Sequence, residues 1–455
     1  MNFYNLSQHK QLFIIALPMI FSNITVPLLG LVDSAVLGHL DQSYYLGGST
    51  VGAMIITFVT WLCGFLRMST TGLTAQAIGR KNSRQSLLVL LRGLLVAFCI
   101  GGTLILLQSF YLTFSLGLAG GSEQIQFYAQ QYCAIRIWGL PAALSNLVIL
   151  GWLLGNHRAK AVMWILIVTN LTNLSLDLLF VLGFNWQVQG VALATLIAEY
   201  SGMLIGLTYI VFMKQNNHQQ TIKKLFQRIG QQLLNIKTEL FEKSALAHYF
   251  KLNRDILIRT LCLELCFVFI TFQGARLGDD VIATNAILMN FVLLISFGLD
   301  GIANATEVLV GKAQGQQNRK QRSSVVQLAL FWTGIFALMY SLLFVIAGDF
   351  LIHLITNIPA VVASTKQYIY WLILLPVLGC WCYLFDGVFV GLMKAKAMRN
   401  SMIIATFGCF FPLWWLLQDF GNHGLWAAFS VFLLVRGATL AWYYYRVIEP
   451  QTITD

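Results

Sequence analysis

The chain has 455 residues, of which 58% are hydrophobic and only 10% are Asp, Glu, Lys or Arg, against about a quarter charged in soluble domains; one water-soluble core is excluded. The eight Cys lie scattered through apolar runs without the spacing of a secreted disulfide framework. The net charge of +11 does not point to nucleic acid, because the basic residues gather in the polar segments between apolar runs, as on one side of a membrane.

A membrane-crossing helix needs about 20 mostly apolar residues. In chain order the apolar stretches predict twelve, at about 13–37, 48–77, 86–114, 124–153, 160–182, 187–213, 255–274, 281–310, 323–346, 360–391, 400–418 and 424–445. The first is too long for a signal peptide and lacks a small-residue cleavage site, so it is expected to persist as a helix. With the N-terminus in the cytoplasm, 22 of the 29 Lys and Arg residues fall on the inner side and two, Arg276 and Lys366, on the outer. That asymmetry predicts both termini inside.

The longest polar stretch, 214–254, follows six helices. Ile222, Leu225, Phe226, Ile229, Leu233, Ile236 and Leu240 recur in it at helical spacing between Lys and Gln, the pattern of an amphipathic helix on the membrane surface. The expected domains are therefore an N-terminal six-helix lobe (1–213), this cytoplasmic linker (214–254) and a C-terminal six-helix lobe (255–455). The halves match at an offset of 236 residues: Ala77, Gly79 and Asn82 with Ala313, Gly315 and Asn318, and Gly155, Ala159 and Lys160 with Gly391, Ala395 and Lys396. An even number of crossings per half makes the repeats parallel, an arrangement that serves alternating access in transporters. The fold class is thus an all-α polytopic membrane protein of twelve transmembrane helices in two pseudo-symmetric lobes.

Ionisable groups inside a span are costly and mark function by default. Asp33 lies near the outer end of the first helix and Asp177 near that of the fifth. Asn173 is one turn deeper than Asp177 on the same face, and Thr195 enters the sixth helix at similar depth. Desolvation disfavours the charged form of a carboxyl group. Such a set can take up a proton from outside, or bind a small cation with amide and hydroxyl oxygens helping. Pro18 and Pro27, in the helix of Asp33, remove backbone hydrogen bonds and are the expected hinge. In the second half Glu264 lies near mid-depth, while Asp300, Glu307 and Asp386 lie level with Arg259. An ion-pair network is the simplest reading of these; an inner gate or a second cation site is the alternative. Phe58, Trp61, Trp138, Trp371 and Phe385 are candidate lining residues of a cleft for flat ligands. No phosphate-cradling loop, metal-ligand spacing or nucleophile–base pair stands out, so neither an enzyme, a cofactor nor a firm metal site is expected.

In order, several short segments resemble the multidrug and toxic compound extrusion (MATE) transporters. They are Pro18 through Val32-Asp33-Ser34-Ala35-Val36-Leu37-Gly38-His39-Leu40, Thr74-Ala75-Gln76-Ala77-Ile78-Gly79, Asn173 with Asp177, and Gly190-Val191-Ala192. Gly274-Ala275-Arg276-Leu277-Gly278, Leu299-Asp300-Gly301, Asp386-Gly387 and Met398-Arg399-Asn400-Ser401 look like the DNA-damage-inducible protein F (DinF) branch. The resemblance implies secondary-active export of cationic amphiphilic small molecules driven by a proton or sodium gradient, from the bacterial inner membrane, with Asp33 central to coupling and Pro18, Asn173, Asp177 and Thr195 in an N-lobe cation site. The NorM-like branch instead uses acidic residues in the seventh and tenth helices. Glu264 falls near the first, but Gly379 stands at the second, with Asp386 seven residues later. The resemblance thus favours protons, with sodium at Asp33 and Asp177 as the alternative coupling ion. A lipid-linked precursor flippase and an embedded enzyme are the rival functions. The lipid bilayer is the only macroscopic partner expected, with no nucleic acid, and the functional unit is expected to be a monomer.

Overall fold

The computed structural model describes residues 6–38, 43–120, 122–215, 239–356 and 358–450, and only the backbone for 26–38, 43, 214–215 and 279. The described residues are helical nearly throughout and contain no strand. We number the long helices α1 (Leu6–Gly38), α2 (Tyr44–Gly79), α3 (Ser83–Leu106), α4 (Glu123–Gly155), α5 (Ala159–Gly183), α6 (Gln187–Met213), α7 (Lys243–Leu277), α8 (Asp279–Gly315), α9 (Arg319–Ile355), α10 (Pro359–Gly391), α11 (Ala395–Phe420) and α12 (Asn422–Ile448). Ten of them are long and apolar enough to cross a membrane among the described residues. The other two, α1 and α7, run 33 and 35 residues and coincide with the first and seventh predicted spans. A short helix, Gln108–Ala119, continues α3 after a turn at Leu107.

Two differences from the sequence reading stand out. Helix α7 starts at Lys243 rather than near 255, because Lys243–Arg254 contains no Gly or Pro and buries Tyr249 and Leu252. Most of the expected amphipathic linker helix, residues 216–238, lies outside the described residues. The chain forms two compact units, one holding Phe21–Phe250 and the other the residues up to Ile20 together with those from Lys251 onward. One division falls between Phe250 and Lys251 in α7 and the other within α1. Side chains explain the second: Ser324 donates to Gln8 (2.9 Å), Trp332 Nε1 donates to His9 Nδ1 (3.0 Å), and Phe13 meets Trp332 edge-on.

The internal repeat is written into the backbone. Lys81 and Gln317, 236 residues apart, both take the left-handed conformation at φ 57° and 55°. The next residues, Asn82 and Asn318, cap α3 and α9 by accepting from Gln85 N–H (2.9 Å) and Gln321 N–H (3.0 Å), the usual role of Asn at a helix start. His157 and Met393 repeat the pattern at φ 61° and 57°. Packing repeats as well. A Cβ on Gly151 or Gly155 of α4 would stand 2.6 Å from the Arg67 carbonyl or 2.7 Å from that of Thr71 in α2, and Gly387 and Gly391 of α10 meet Ala303 and Glu307 of α8 in the same register. Without side chains between them these helices approach backbone to backbone, as small-residue stripes permit in membranes.

Gly387→Ala is therefore expected to destabilise the protein by about 1–3 kcal/mol through overpacking, read as a lower melting temperature of the purified protein. Gly102→Ala, where an added Cβ meets nothing within 4 Å, is expected to melt like the parent. Equal melting of the two variants would mean that the α8–α10 contact yields freely.

Candidate functional site

Helix α5 carries Asn170, Asn173 and Asp177, spaced three and four apart and so on one face. Asp177 is 0% exposed and Asn173 1%. The Asn173 amide satisfies its neighbours when its nitrogen faces the carboxylate: Nδ2 then donates to Asp177 Oδ2 at 3.1 Å, while Oδ1 accepts from the Thr195 hydroxyl (3.1 Å) and Thr195 N–H (3.2 Å) of α6. The Thr195 hydroxyl also lies 2.9 Å from the Val191 carbonyl. Asp177 ends the α-helical part of α5, and Leu178–Gly183 widen into a π-helical turn, a feature frequent at functional sites.

Three of the four predicted coupling residues thus form one hydrogen-bonded set. The fourth, Asp33, is helical in backbone, and its side chain lies outside the described residues. Sequence reasoning missed the link between its helix and the set. Asn170 Nδ2 donates to Thr25 Oγ1 of α1 at 3.1 Å, and the Thr25 hydroxyl donates to the Ser22 carbonyl at 2.7 Å. The signal was present in the i, i+3, i+7 spacing of Asn170, Asn173 and Asp177. Helix α1 runs without interruption through Pro18, which is buried, and Pro27.

In the second unit the expected charge cluster forms in part. Arg259 of α7 and Arg436 of α12 both donate through Nη2 to Oδ2 of Asp386 on α10, with all three residues at most 9% exposed. Arg436 also stands 5.9 Å from the Tyr383 ring centroid, and the Tyr383 hydroxyl is 2.8 Å from Ser296 Oγ. Asp300 acts electrostatically on both guanidiniums. Glu307 is buried on α8, two turns beyond Asp300. Glu264 is half-buried and joins no hydrogen bond or ion pair among the described residues. The structure therefore assembles Arg259, Asp300 and Asp386, adds Arg436, and leaves Glu264 aside.

Other charges find partners the sequence could not assign. Arg136 of α4 grips Glu199 of α6 with two bonds, Nη1–Oε2 2.6 Å and Nη2–Oε1 2.8 Å. Among the candidate lining aromatics, Phe58, Trp61 and Trp138 are about half exposed, but Phe385 is 1% exposed and belongs to the core. Trp371 donates to His423 Nδ1 at 3.2 Å. Among the described residues no three His, Cys, Asp or Glu side chains cluster closely enough to hold a metal ion.

The MatE family model matches residues 18–179 and 256–416, one match in each half of the repeat. The chain is 45% identical over 436 residues to DNA damage-inducible protein F of Escherichia coli (strain K12), covering 96% of this chain and 92% of that protein. It is 24% identical over 454 residues to the probable multidrug resistance protein NorM of Caulobacter vibrioides, covering 93% of this chain and 90% of that protein. Among solved structures, a MATE in the bent conformation superposes with a TM-score of 0.84 at 16% identity, over 97% of this chain and 96% of its own. At that identity the likeness is one of fold.

Proposed function

The chain belongs to the MatE family, and on that premise we propose that it is a proton-coupled antiporter of the bacterial inner membrane that exports cationic amphiphilic small molecules. That it is a multi-pass membrane protein of a transporter family follows from its helices and its relatives. The finer reading, including cytoplasmic termini and a functional monomer, is our own.

The observation that carries proton coupling is the Asn173–Asp177–Thr195 set. The set buries the Asp177 carboxyl group and holds it against the Asn173 amide, which is itself held by Thr195. A buried carboxyl group beside a neutral hydrogen-bonding partner supports a site that exchanges a proton. Helical register supports a role for Asp33 beside it. Four chain reversals separate α1 and α5, so the two run parallel. Thr25 touches Asn170; Asp33 is eight residues past the first and Asp177 seven past the second, advances of about 12 and 10.5 Å at 1.5 Å per residue. By helical register Asp33 and Asp177 then fall at one depth along the two helices, where we infer that protonation from outside and a bound cation compete for one negative field. A ligand shifts a conformational equilibrium only through its differential affinity for the two states, and that competition supplies it.

The test is ethidium efflux from vesicles containing the full chain, with a proton gradient and a sodium gradient imposed separately. Export driven by protons alone is expected. Export driven by sodium alone would keep the family and turn the same carboxylates into a sodium site. No export under either gradient from folded protein would overturn the reading in favour of a lipid-linked precursor flippase.

A further inference from the structure

The second unit contains a cavity of about 1120 Å³ that the transport reading does not use. It lies between the first turns of α1, the first turns of α9 and the end of α12. Apart from Leu328 the residues that line it are of polar type, with His9, Arg319, Lys320, Ser323, Ser324 and Gln327 among them, although their apolar atoms supply nearly half of its surface. We propose that this cavity binds the phosphate headgroup of an anionic phospholipid.

The internal repeat supplies the first argument. Lys320 corresponds at the 236-residue offset to Arg84, and both follow the Asn cap of their helix in the same left-handed corner. In the first half the protein itself provides an anion there. Glu239 takes two bonds from Arg84, Nη2–Oε1 at 2.5 Å and Nε–Oε2 at 3.1 Å, and the Glu239 carbonyl accepts from Arg92 at 2.5 Å. In the second half Arg319 and Lys320 form no hydrogen bond or ion pair among the described residues, and a cavity stands before them. The one carboxylate among the described residues that line the cavity, Glu449, interacts electrostatically with Tyr444, as does Arg322. A cationic corner that is closed by a carboxylate in one repeat, and that has no such ion pair among the described residues in the other, suits an external anion of like chemistry.

The donors around the cavity select the anion. His9 Nδ1 accepts from Trp332, so a neutral ring carries its proton on Nε2 and is a donor, as is the hydroxyl of Ser323, whereas that of Ser324 already donates to Gln8. Arg and Lys with hydroxyl and imidazole donors suit a phosphate. Below the cavity the same two helices turn apolar and exposed. Ile14 and Leu17 on α1 are 47% and 44% exposed, and Phe331, Leu338 and Leu342 on α9 are 46%, 63% and 58% exposed. A polar, cationic cavity that gives onto exposed apolar helix faces fits an amphiphile whose charge is at one end. Basic pockets between helices at the membrane surface are suited to such headgroups. A free phosphate would use the cavity but none of the apolar surface.

The inference does not depend on the transport reading. The test is native mass spectrometry of the delipidated full chain in detergent, titrated with palmitoyl-oleoyl phosphatidylglycerol, with phosphatidylcholine of the same chains, and with inorganic phosphate. Phosphatidylglycerol is expected to bind in preference to phosphatidylcholine. The double variant R319Q/K320Q is expected to weaken it about thirtyfold, since each charge near an anionic lipid contributes roughly fivefold. Lys396→Gln, which removes an exposed charge at another corner, is expected to leave the affinity unchanged. If the double variant melts below the parent, Lys320→Gln alone, at an exposed position, carries the test with about a fivefold loss. Unchanged binding in these variants, equal binding of phosphatidylcholine, or an equal loss with Lys396→Gln would each overturn the proposal. Displacement of the lipid by inorganic phosphate at equal concentration would reassign the cavity to a free anion.

Discussion

Asp33→Asn is expected to reduce proton-driven ethidium efflux at least about hundredfold while the protein still inserts and melts like the parent. The magnitude follows from what a switch requires: driving two states from 1:99 to 99:1 takes about 10⁴-fold differential affinity, and a neutral amide cannot change charge at all. Asn at position 33 resembles the protonated carboxyl in size and polarity, so folding is expected to survive. Asp177→Asn is expected to fold as well, because an amide oxygen there can still accept from Asn173, and to lose proton-driven efflux too, because it removes the other titratable charge. The measurement is initial efflux rate at matched protein incorporation. Parent-like efflux from Asp33→Asn would remove the first-half carboxylates from the coupling mechanism.

Asp386→Ala is expected to be among the most destabilising single changes in the second half. Arg259 and Arg436 both donate to one oxygen of Asp386, at 9% and 3% exposure. Removing one partner of a buried ion pair costs about 3–5 kcal/mol because the remaining charge is left uncompensated, and here two cations are left. Thermal melting of the purified variant is the readout. Replacing the whole triad with apolar residues, as R259M/D386L/R436L, is expected to recover most of the loss, since well-packed apolar replacements of buried pairs are often neutral or better. Transport by that triple variant separates two roles. Parent-like efflux would make the triad purely a fold clamp, whereas folded protein without efflux would make its charges part of a gate. A melting temperature of Asp386→Ala equal to that of the parent would contradict the bridging geometry itself.

Much of this protein was legible in its sequence because the bilayer is a severe constraint. Every helical crossing must be apolar and of a certain length, so the apolar runs along the chain were enough to locate α2 through α12 to within a few residues at most ends. The repeat was legible for a similar reason. Asn82 and Asn318 cap helices that follow left-handed residues, and Gly155 and Gly391 permit close backbone approach. These demands belong to single residue types and leave a mark in one sequence. Asn173 with Asp177 was readable because both lie on one helix, where spacing determines the face.

What crosses between helices was not readable. A charge within a span announces that it needs a partner, but many partners lie at the same depth. Only the packed structure gave Arg436 to Asp386 and Glu199 to Arg136, left Glu264 outside the network, and buried Phe385 in the core. The same holds for α1. Its sequence shows one continuous apolar helix, yet its first turns are held by Trp332 and Ser324 of the second unit while Thr25 is held by Asn170 of the first. Local chemistry determined the number, ends and special turns of the helices. Long-range side-chain pairing decided which helix holds which, because the hydrogen bonds and ion pairs that choose between neighbours join residues tens to hundreds of positions apart.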